Sequence, residues 1–295
     1  MPQYTRAVNP ADSRVSATQI DVRIDKDIQL PGRAWCAERP RALVAIVHGL
    51  GEHSGRYGAL ASALVDRRFT VVSLDLPGHG EAPGPRGDAK AWTQLRDLVI
   101  PAMFTVTRGM PGQPPDLPIV LFGHSMGGLL ALDYALAHPK TILGLVLSAP
   151  AVKSDPPPGW KKTLASIARN VVPGAAFPHG LDESGISRDR EVLMARDQDP
   201  LVHDKISSRL YFGLEEARKR VMLEARRLAV PTLILQGAAD RVVNPSGALE
   251  LSGLAPHGVA RLITYRDGYH EVFNDLSRDQ AIQDLVGWLD AILVV

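Results

Sequence analysis

Gly123-His124-Ser125-Met126-Gly127-Gly128 follows the apolar run Ile119-Val120-Leu121-Phe122 and precedes the Ala- and Leu-rich stretch from Leu129 to Ala137. A strand, a Gly-x-Ser-x-Gly turn and a helix are the succession that a strained strand-to-helix elbow requires. The turn is so tight that its flanking positions must lack side chains, and glycine is the residue that fits. A serine at the tip projects its hydroxyl out of the turn, where a base can reach it. The competing reading is a glycine-rich turn with a surface serine, and the rest of the chain decides between them.

Outward from this stretch, strand-like and helix-like segments alternate. Leu43–Val47, Phe69–Leu74, Ile119–Phe122, Ile142–Leu147, Thr232–Leu235 and Arg261–Tyr265 are short apolar runs. Short runs that are apolar almost throughout suit strands covered on both faces, as in a parallel sheet. Trp92, Leu95, Val99, Met103 and Val106 recur at helical spacing, with Pro101 placed to kink or split the helix. A final helix is expected over 281–293. Ile20–Ile24 alternates with period two and reads as an antiparallel edge strand. The alternation predicts a mostly parallel, doubly wound α/β sheet with helices on both faces. Residues 151–229 break the rhythm. They begin near Pro156-Pro157-Pro158-Gly159 and carry two apolar stripes, Trp160/Leu164/Ile167/Val171 and Ile206/Leu210/Leu214, with no convincing strand. They are read as a helical cap inserted between two parts of one core, 1–150 and 230–295.

Composition narrows the function classes. The chain of 295 residues is 45% hydrophobic, enough for a large core, and its 33 basic and 32 acidic residues leave a net charge of +1. That balance gives no electrostatic case for nucleic acid. Cys36 is the single cysteine, so neither an intrachain disulfide nor a cysteine-built metal site is expected, and Cys36 reads as a packing residue. The polar N-terminus shows no secretory h-region and no run reaches the length of a membrane span, so a cytoplasmic protein is expected. The oligomeric state is not legible.

A serine hydroxyl needs a histidine base, itself oriented by a carboxylate. On this type of sheet the chain order is serine, acid, histidine. Asp240 follows the Thr232–Leu235 run and His270 follows Arg261–Tyr265, each in the loop where its role requires it. Either alone could be an ordinary loop residue; three roles in the required order argue for a triad and for the α/β-hydrolase fold. The tetrahedral oxyanion needs backbone N–H donors. Met126, next to the serine, supplies one, and Leu50 in His48-Gly49-Leu50-Gly51 the other. No metal and no organic cofactor is needed.

Three blocks carry a family resemblance: His48-Gly49-Leu50-Gly51-Glu52-His53-Ser54-Gly55-Arg56-Tyr57, Asp75-Leu76-Pro77-Gly78-His79-Gly80 and Gly123–Gly128. With Ser187-Arg188-Asp189, Asp199-Pro200-Leu201-Val202 and Gln236-Gly237-Ala238-Ala239-Asp240, the chain resembles the monoacylglycerol lipases and their lysophospholipase-like relatives from about Ile20 to Leu293. The resemblance implies Ser125, Asp240 and His270 as the triad, Leu50 and Met126 as the oxyanion hole, and a cap that forms an apolar tunnel for one acyl chain. It places Glu52 and Arg56 near the polar end that holds glycerol; an internal ion pair shaping the loop is the competing reading. The substrate it implies is a small-molecule lipid ester, a monoacylglycerol, with a lysophospholipid or a general carboxylic ester as alternatives. Peptidase, acyltransferase and non-catalytic ligand-binding roles also use this scaffold. Two departures stand out. Glu81-Ala82 occupies a surface loop. Arg196 replaces an aromatic of the relatives and is read as a solvated cap arginine; lining the pocket, it would favour a charged headgroup. The Trp160 helix is read as lid packing, with transient contact to a membrane surface as the alternative.

Overall fold

The computed structural model describes residues 5–8, 15–26, 28–153 and 171–294. Nine strands form one sheet: β1 (Thr5–Val8), β2 (Ala17–Arg23), β3 (Gln29–Trp35), β4 (Ala42–Val47), β5 (Phe69–Leu74), β6 (Ile119–His124), β7 (Gly144–Ser148), β10 (Thr232–Gly237) and β11 (Ala260–Tyr265). Two more, β8 (Ala176–Pro178) and β9 (Lys205–Ser207), pair with each other alone. The large sheet runs β1-β2-β3-β5-β4-β6-β7-β10-β11. It is parallel from β5 to β11 and antiparallel through β1, β2 and β3. This is the α/β-hydrolase fold.

Most of the apolar runs are strands because both faces are covered; β11, at the edge of the sheet, is largely only half-buried. Every residue of β4, β5, β7 and β10 is buried. Along β4, Leu43, Ala45 and Val47 enter one core cluster while Val44 and Ile46 enter the other. Helices α1 (Gly58–Val65) and α8 (Arg278–Leu293) cover the second face with Leu60, Leu64, Leu285 and Leu289. The first face takes α2 (Trp92–Gln94), α3 (Ile100–Thr105) and α4 (Met126–Ala137). Between α2 and α3 the helix widens into a π turn, Leu95–Val99, where the Ile100 N–H reaches back to the Leu95 carbonyl. Pro101 has no N–H and its ring needs the space of the preceding turn, so the expected split takes this form.

The sequence reading misses β1, β3 and the β8–β9 pair, and the Ile20–Ile24 strand expected at the edge is interior, because β2 is flanked by β1 and β3. Pro31-Gly32 makes β3 look like a turn, yet Gly32 is there because a Cβ would lie 2.4 Å from the Ser73 carbonyl oxygen of β5. β8 and β9 have three residues each, too few to display period two. Ile206 belongs to β9 and not to the helical stripe; the stripe is Leu210, Leu214, Ala217 and Val221 on α6 (Ser208–Glu224), which follows α5 (Arg190–Asp197). Helix α7 (Ser246–Leu254) lies between β10 and β11. The Trp160 stripe lies outside the described residues, apart from Val171. No helix among the described residues is long and apolar enough to cross a membrane.

The topology fixes where a ligand can go. After β4 the chain adds β5 on one side and β6 on the other. The crevice at the carboxyl ends of β4 and β6 is a topological switch point, the preferred binding place of such sheets. The pairing Val47↔Gly123 brings the loop after β4 beside the turn after β6.

Candidate active site

Ser125 stands between β6 and α4 with φ 53° and ψ −116°, a left-handed conformation costly for a residue with a side chain. Its backbone is held on both sides: Ser125 N–H donates to the Ser148 carbonyl at 2.9 Å, and Ala151 N–H to the Ser125 carbonyl at 2.9 Å. The flanking glycines are required by contact. A Cβ on Gly123 would lie 2.3 Å from the Gly127 oxygen, and one on Gly127 2.2 Å from the Val47 oxygen and 2.4 Å from the His48 oxygen. These are backbone atoms that cannot swing aside. Gly127→Ala is therefore expected to lose about 3 kcal/mol of stability or more. Urea unfolding measures this; an unchanged midpoint would show that the elbow can open.

Asp240 and His270 meet below this turn. The Asp240 Oδ2 lies 2.8 Å from His270 Nδ1, and also accepts from Gln236 Nε2 at 3.0 Å. Oδ1 accepts from the Val242 and Val243 N–H groups at 2.8 and 3.0 Å. Burial pushes the Asp240 carboxyl up, but His270 and those N–H groups outweigh it, and the group titrates below its ordinary range. An ionised carboxylate only accepts, so His270 carries its proton on Nδ1 and keeps the Nε2 lone pair free to take one. His270 and Ser125 line the same pocket.

The loop after β4 is fixed by its own histidine. Leu76 N–H donates to His48 Nε2 at 2.9 Å, so the His48 proton is on Nδ1, which donates to the Gly49 carbonyl at 2.8 Å. That carbonyl and the Leu50 N–H belong to one trans peptide and point oppositely. His48 thereby aims the Leu50 N–H away from its own ring. Leu50 lines the pocket. Met126 opens α4, where N–H groups have no intrahelical partner and the helix dipole is positive.

Glu52 and Arg56 also line this pocket, and they are joined as an ion pair. Glu52 Oε2 lies 2.9 Å from Arg56 Nη1, while its Oε1 accepts from the Gly49 N–H and from the Tyr57 hydroxyl, the latter at 2.7 Å. Arg56 continues to Glu271, Nη1 to Oε1 at 2.6 Å and Nη2 to Oε2 at 2.9 Å. Burial raises the Glu52 carboxyl, but Arg56, followed by His124 and His48, holds it down at about 2. Glu271, Tyr57, His48 and Glu183 are participants that the sequence reading misses. Glu271 adjoins His270, and no spacing marks it.

Arg196 differs from expectation. It is 9% exposed, lines the pocket and is paired with Glu183 through both Nη atoms, at 3.1 and 3.2 Å. Asp189 caps the start of α5 by accepting from the Glu191 N–H, and the eight-residue helix that follows, about two turns, turns Arg196 inward rather than to solvent. Glu81 keeps to the surface, with its side chain 45% exposed. Cys36 contacts the Met110 sulfur at 3.6 Å. Among the described residues no cluster of three or more His, Cys, Asp or Glu side chains is arranged to hold a metal ion.

Three imidazoles lie in a row, tilted against one another, behind the loop. The rings of His48 and His79 are 5.4 Å apart, and those of His79 and His203 5.0 Å. Burial pushes all three below the ordinary value of 6.5, His203 to about 4, and burial does the same to His124. A ring whose folded pKa is depressed stays neutral when the unfolded chain has already taken a proton. Stability is thus full above about pH 6.5 and falls as pH drops below it, by at most about 1.4 kcal/mol per pH unit for each such ring. Urea midpoints are expected to fall steeply from pH 7 to 5; equal midpoints would mean that these rings titrate normally.

The profile of the hydrolase family described as serine aminopeptidase S33 matches residues 38–277. The chain is 31% identical over 274 residues to a monoacylglycerol lipase of Mycolicibacterium smegmatis, covering 91% of this chain and 93% of that protein. It is 29% identical over 265 residues to an uncharacterised abhydrolase domain-containing protein of Dictyostelium discoideum, covering 87% of this chain but only 27% of that longer one. Among solved structures, a monoacylglycerol lipase of Paleococcus ferrophilus superposes with a TM-score of 0.81 at 33% identity, over 89% of this chain and 99% of that one.

Proposed function

This chain belongs to the serine aminopeptidase S33 family of α/β-hydrolases, and we propose that it is a monoacylglycerol lipase, hydrolysing its substrate to a fatty acid and glycerol. One observation carries the reading. A strained serine and a carboxylate-oriented histidine line one pocket at the switch point of the sheet. Relatives that share both the sequence and the fold over nearly their whole length are named for this activity.

In this mechanism His270 Nε2 takes the Ser125 proton as Oγ attacks the acyl carbonyl. The oxyanion rests on the Leu50 and Met126 N–H groups, whose directions are set before the substrate arrives. Asp240 holds the imidazole and stabilises its cationic form. His270 then protonates the glycerol oxygen as the C–O bond breaks, leaving the acyl-enzyme. Water, deprotonated by the same Nε2, attacks the acyl carbon and releases the fatty acid. Of the expected cap, 151–229, His179, Leu181, Glu183, Ile186 and Arg196 line the pocket and act as its cover, while 154–170 lie outside the described residues.

The family description also suggests a peptidase. An aminopeptidase needs a free carboxylate for the substrate's amine. Among the described residues the pocket's carboxylates Glu52, Glu271 and Glu183 are each joined to an arginine, which favours the ester. The test is fatty-acid release from a long-chain monoacylglycerol, with a lysophospholipid, a short-chain ester and an aminoacyl amide in parallel. Fast release from the monoacylglycerol is the expected result. Turnover of the short ester alone would demote the protein to a general carboxylesterase.

A further inference from the structure

Charge is unevenly matched around Ser125 and His270. Among the described residues, two arginines, Arg56 and Arg196, and three glutamates, Glu52, Glu183 and Glu271, line the pocket, two positive charges against three negative. Both guanidinium groups are engaged. Arg56 lies between Glu52 and Glu271, at 2.9 and 2.6 Å. Arg196 gives one N–H from each Nη to the two oxygens of Glu183, at 3.1 and 3.2 Å. The arginine side chain is 8% exposed and the glutamate 42%, so the cation is fixed in the wall and its carboxylate sits at the water side.

A phosphate binds arginine through the same fork that Glu183 occupies. To take that fork it would have to displace the carboxylate, and by any route it would enter a wall whose described side chains carry a net charge of one negative. A neutral hydroxyl meets neither obstacle. The paired guanidinium keeps further N–H groups to donate, and Glu183 keeps lone pairs to accept. His179, beside them in the pocket wall, is pushed by burial toward its neutral form and adds no cation.

We propose that the pocket admits an uncharged, hydroxyl-bearing leaving alcohol and turns away anionic headgroups, with Glu183 enforcing the choice by masking Arg196. This rests on the reading that the Ser125 pocket receives the ester, so the experiment keeps binding apart from turnover. In a Ser125→Ala background, calorimetry measures dodecyl phosphate and 1-O-dodecylglycerol, both below their micellar concentrations. Glu183→Gln keeps the shape of the side chain and frees the guanidinium's charge. It is expected to tighten dodecyl phosphate by roughly 10- to 100-fold, the range of a charge-assisted hydrogen bond, and to shift the ether glyceride by less than about 3-fold. Adding Arg196→Gln should cancel the gain. With Ser125 restored, Glu183→Gln should raise turnover of a lysophosphatidate relative to the monoacylglycerol of the same chain. Unchanged phosphate affinity in Glu183→Gln would overturn the proposal. So would an equal gain in the Arg196→Gln background, which would reduce Glu183 to one more negative charge. Absence of ester turnover by the wild type would sink the lipase reading, while the binding measurements still judged the mask.

Discussion

Ser125→Ala is expected to lower kcat/KM for ester hydrolysis by about 10⁴- to 10⁶-fold while leaving the fold intact. Alanine meets the same backbone strain at φ 53° as serine, and the elbow is held by main-chain bonds to Ser148 and Ala151 that the change does not touch. The lost atom is therefore the nucleophile alone. Because serine and histidine act as a unit, adding His270→Ala should cost little more than Ser125→Ala by itself. Asp240→Asn should fall in the same range, about 10⁴-fold, because an amide in place of Oδ2 no longer dictates which His270 nitrogen carries the proton. Initial rates on a fluorogenic ester, with unfolding midpoints on the same preparations, separate chemistry from folding. A loss under about 10-fold in Ser125→Ala would place the nucleophile elsewhere.

What the sequence reveals of this site follows the range of its interactions. The elbow is legible because sterics are local: Gly123 and Gly127 are demanded by backbone atoms within a few residues or on the adjacent strand. Asp240 and His270 are legible because strand order puts each at the end of its strand. The partners of Arg56 are not. Glu52 is four residues away on the same loop, but Glu271 arrives from 215 residues along the chain, and no periodicity records such a meeting. Arg196 fails for the same reason. Only the fold of residues 171–229 brings it against Glu183 and into the pocket that Ser125 lines. β3 is hidden by Pro31-Gly32, whose composition signals a turn while the close approach of β5 demands a glycine within a strand.

Arg56→Met is expected to destabilise the protein by about 3–5 kcal/mol at neutral pH, the cost of leaving buried charge without its partner. Methionine fills much of the volume, so packing is not the main loss. The arginine side chain is 10% exposed, and the Glu52 and Glu271 side chains 7% each. Without the guanidinium these two carboxylates face each other out of water. The pH dependence then reverses. In the wild type burial raises both carboxyls, but Arg56 outweighs it, so both titrate low, Glu52 at about 2. Their contribution is present above the unfolded value of 4.5 and is lost as pH falls toward 2. In Arg56→Met the folded values rise above the unfolded one, so the penalty is full at neutral pH and shrinks as pH falls and the acids protonate. The gap between wild-type and variant urea midpoints should therefore narrow from pH 7 to 5. Adding Glu52→Gln and Glu271→Gln should recover much of the loss at pH 7, since removing the whole network leaves no charge stranded. A substrate-binding role alone predicts a different pattern, a raised KM with unchanged midpoints. Arg56→Lys discriminates further: it keeps the charge but cannot span both carboxylates with a planar fork, so its stability should lie between those of wild type and Arg56→Met. Glu52 also accepts the Gly49 N–H, so a variant that frees Glu52 should loosen the Leu50 peptide and lower kcat as well. Loss of kcat together with stability would make the ion pair a support of the oxyanion loop rather than a contact for glycerol.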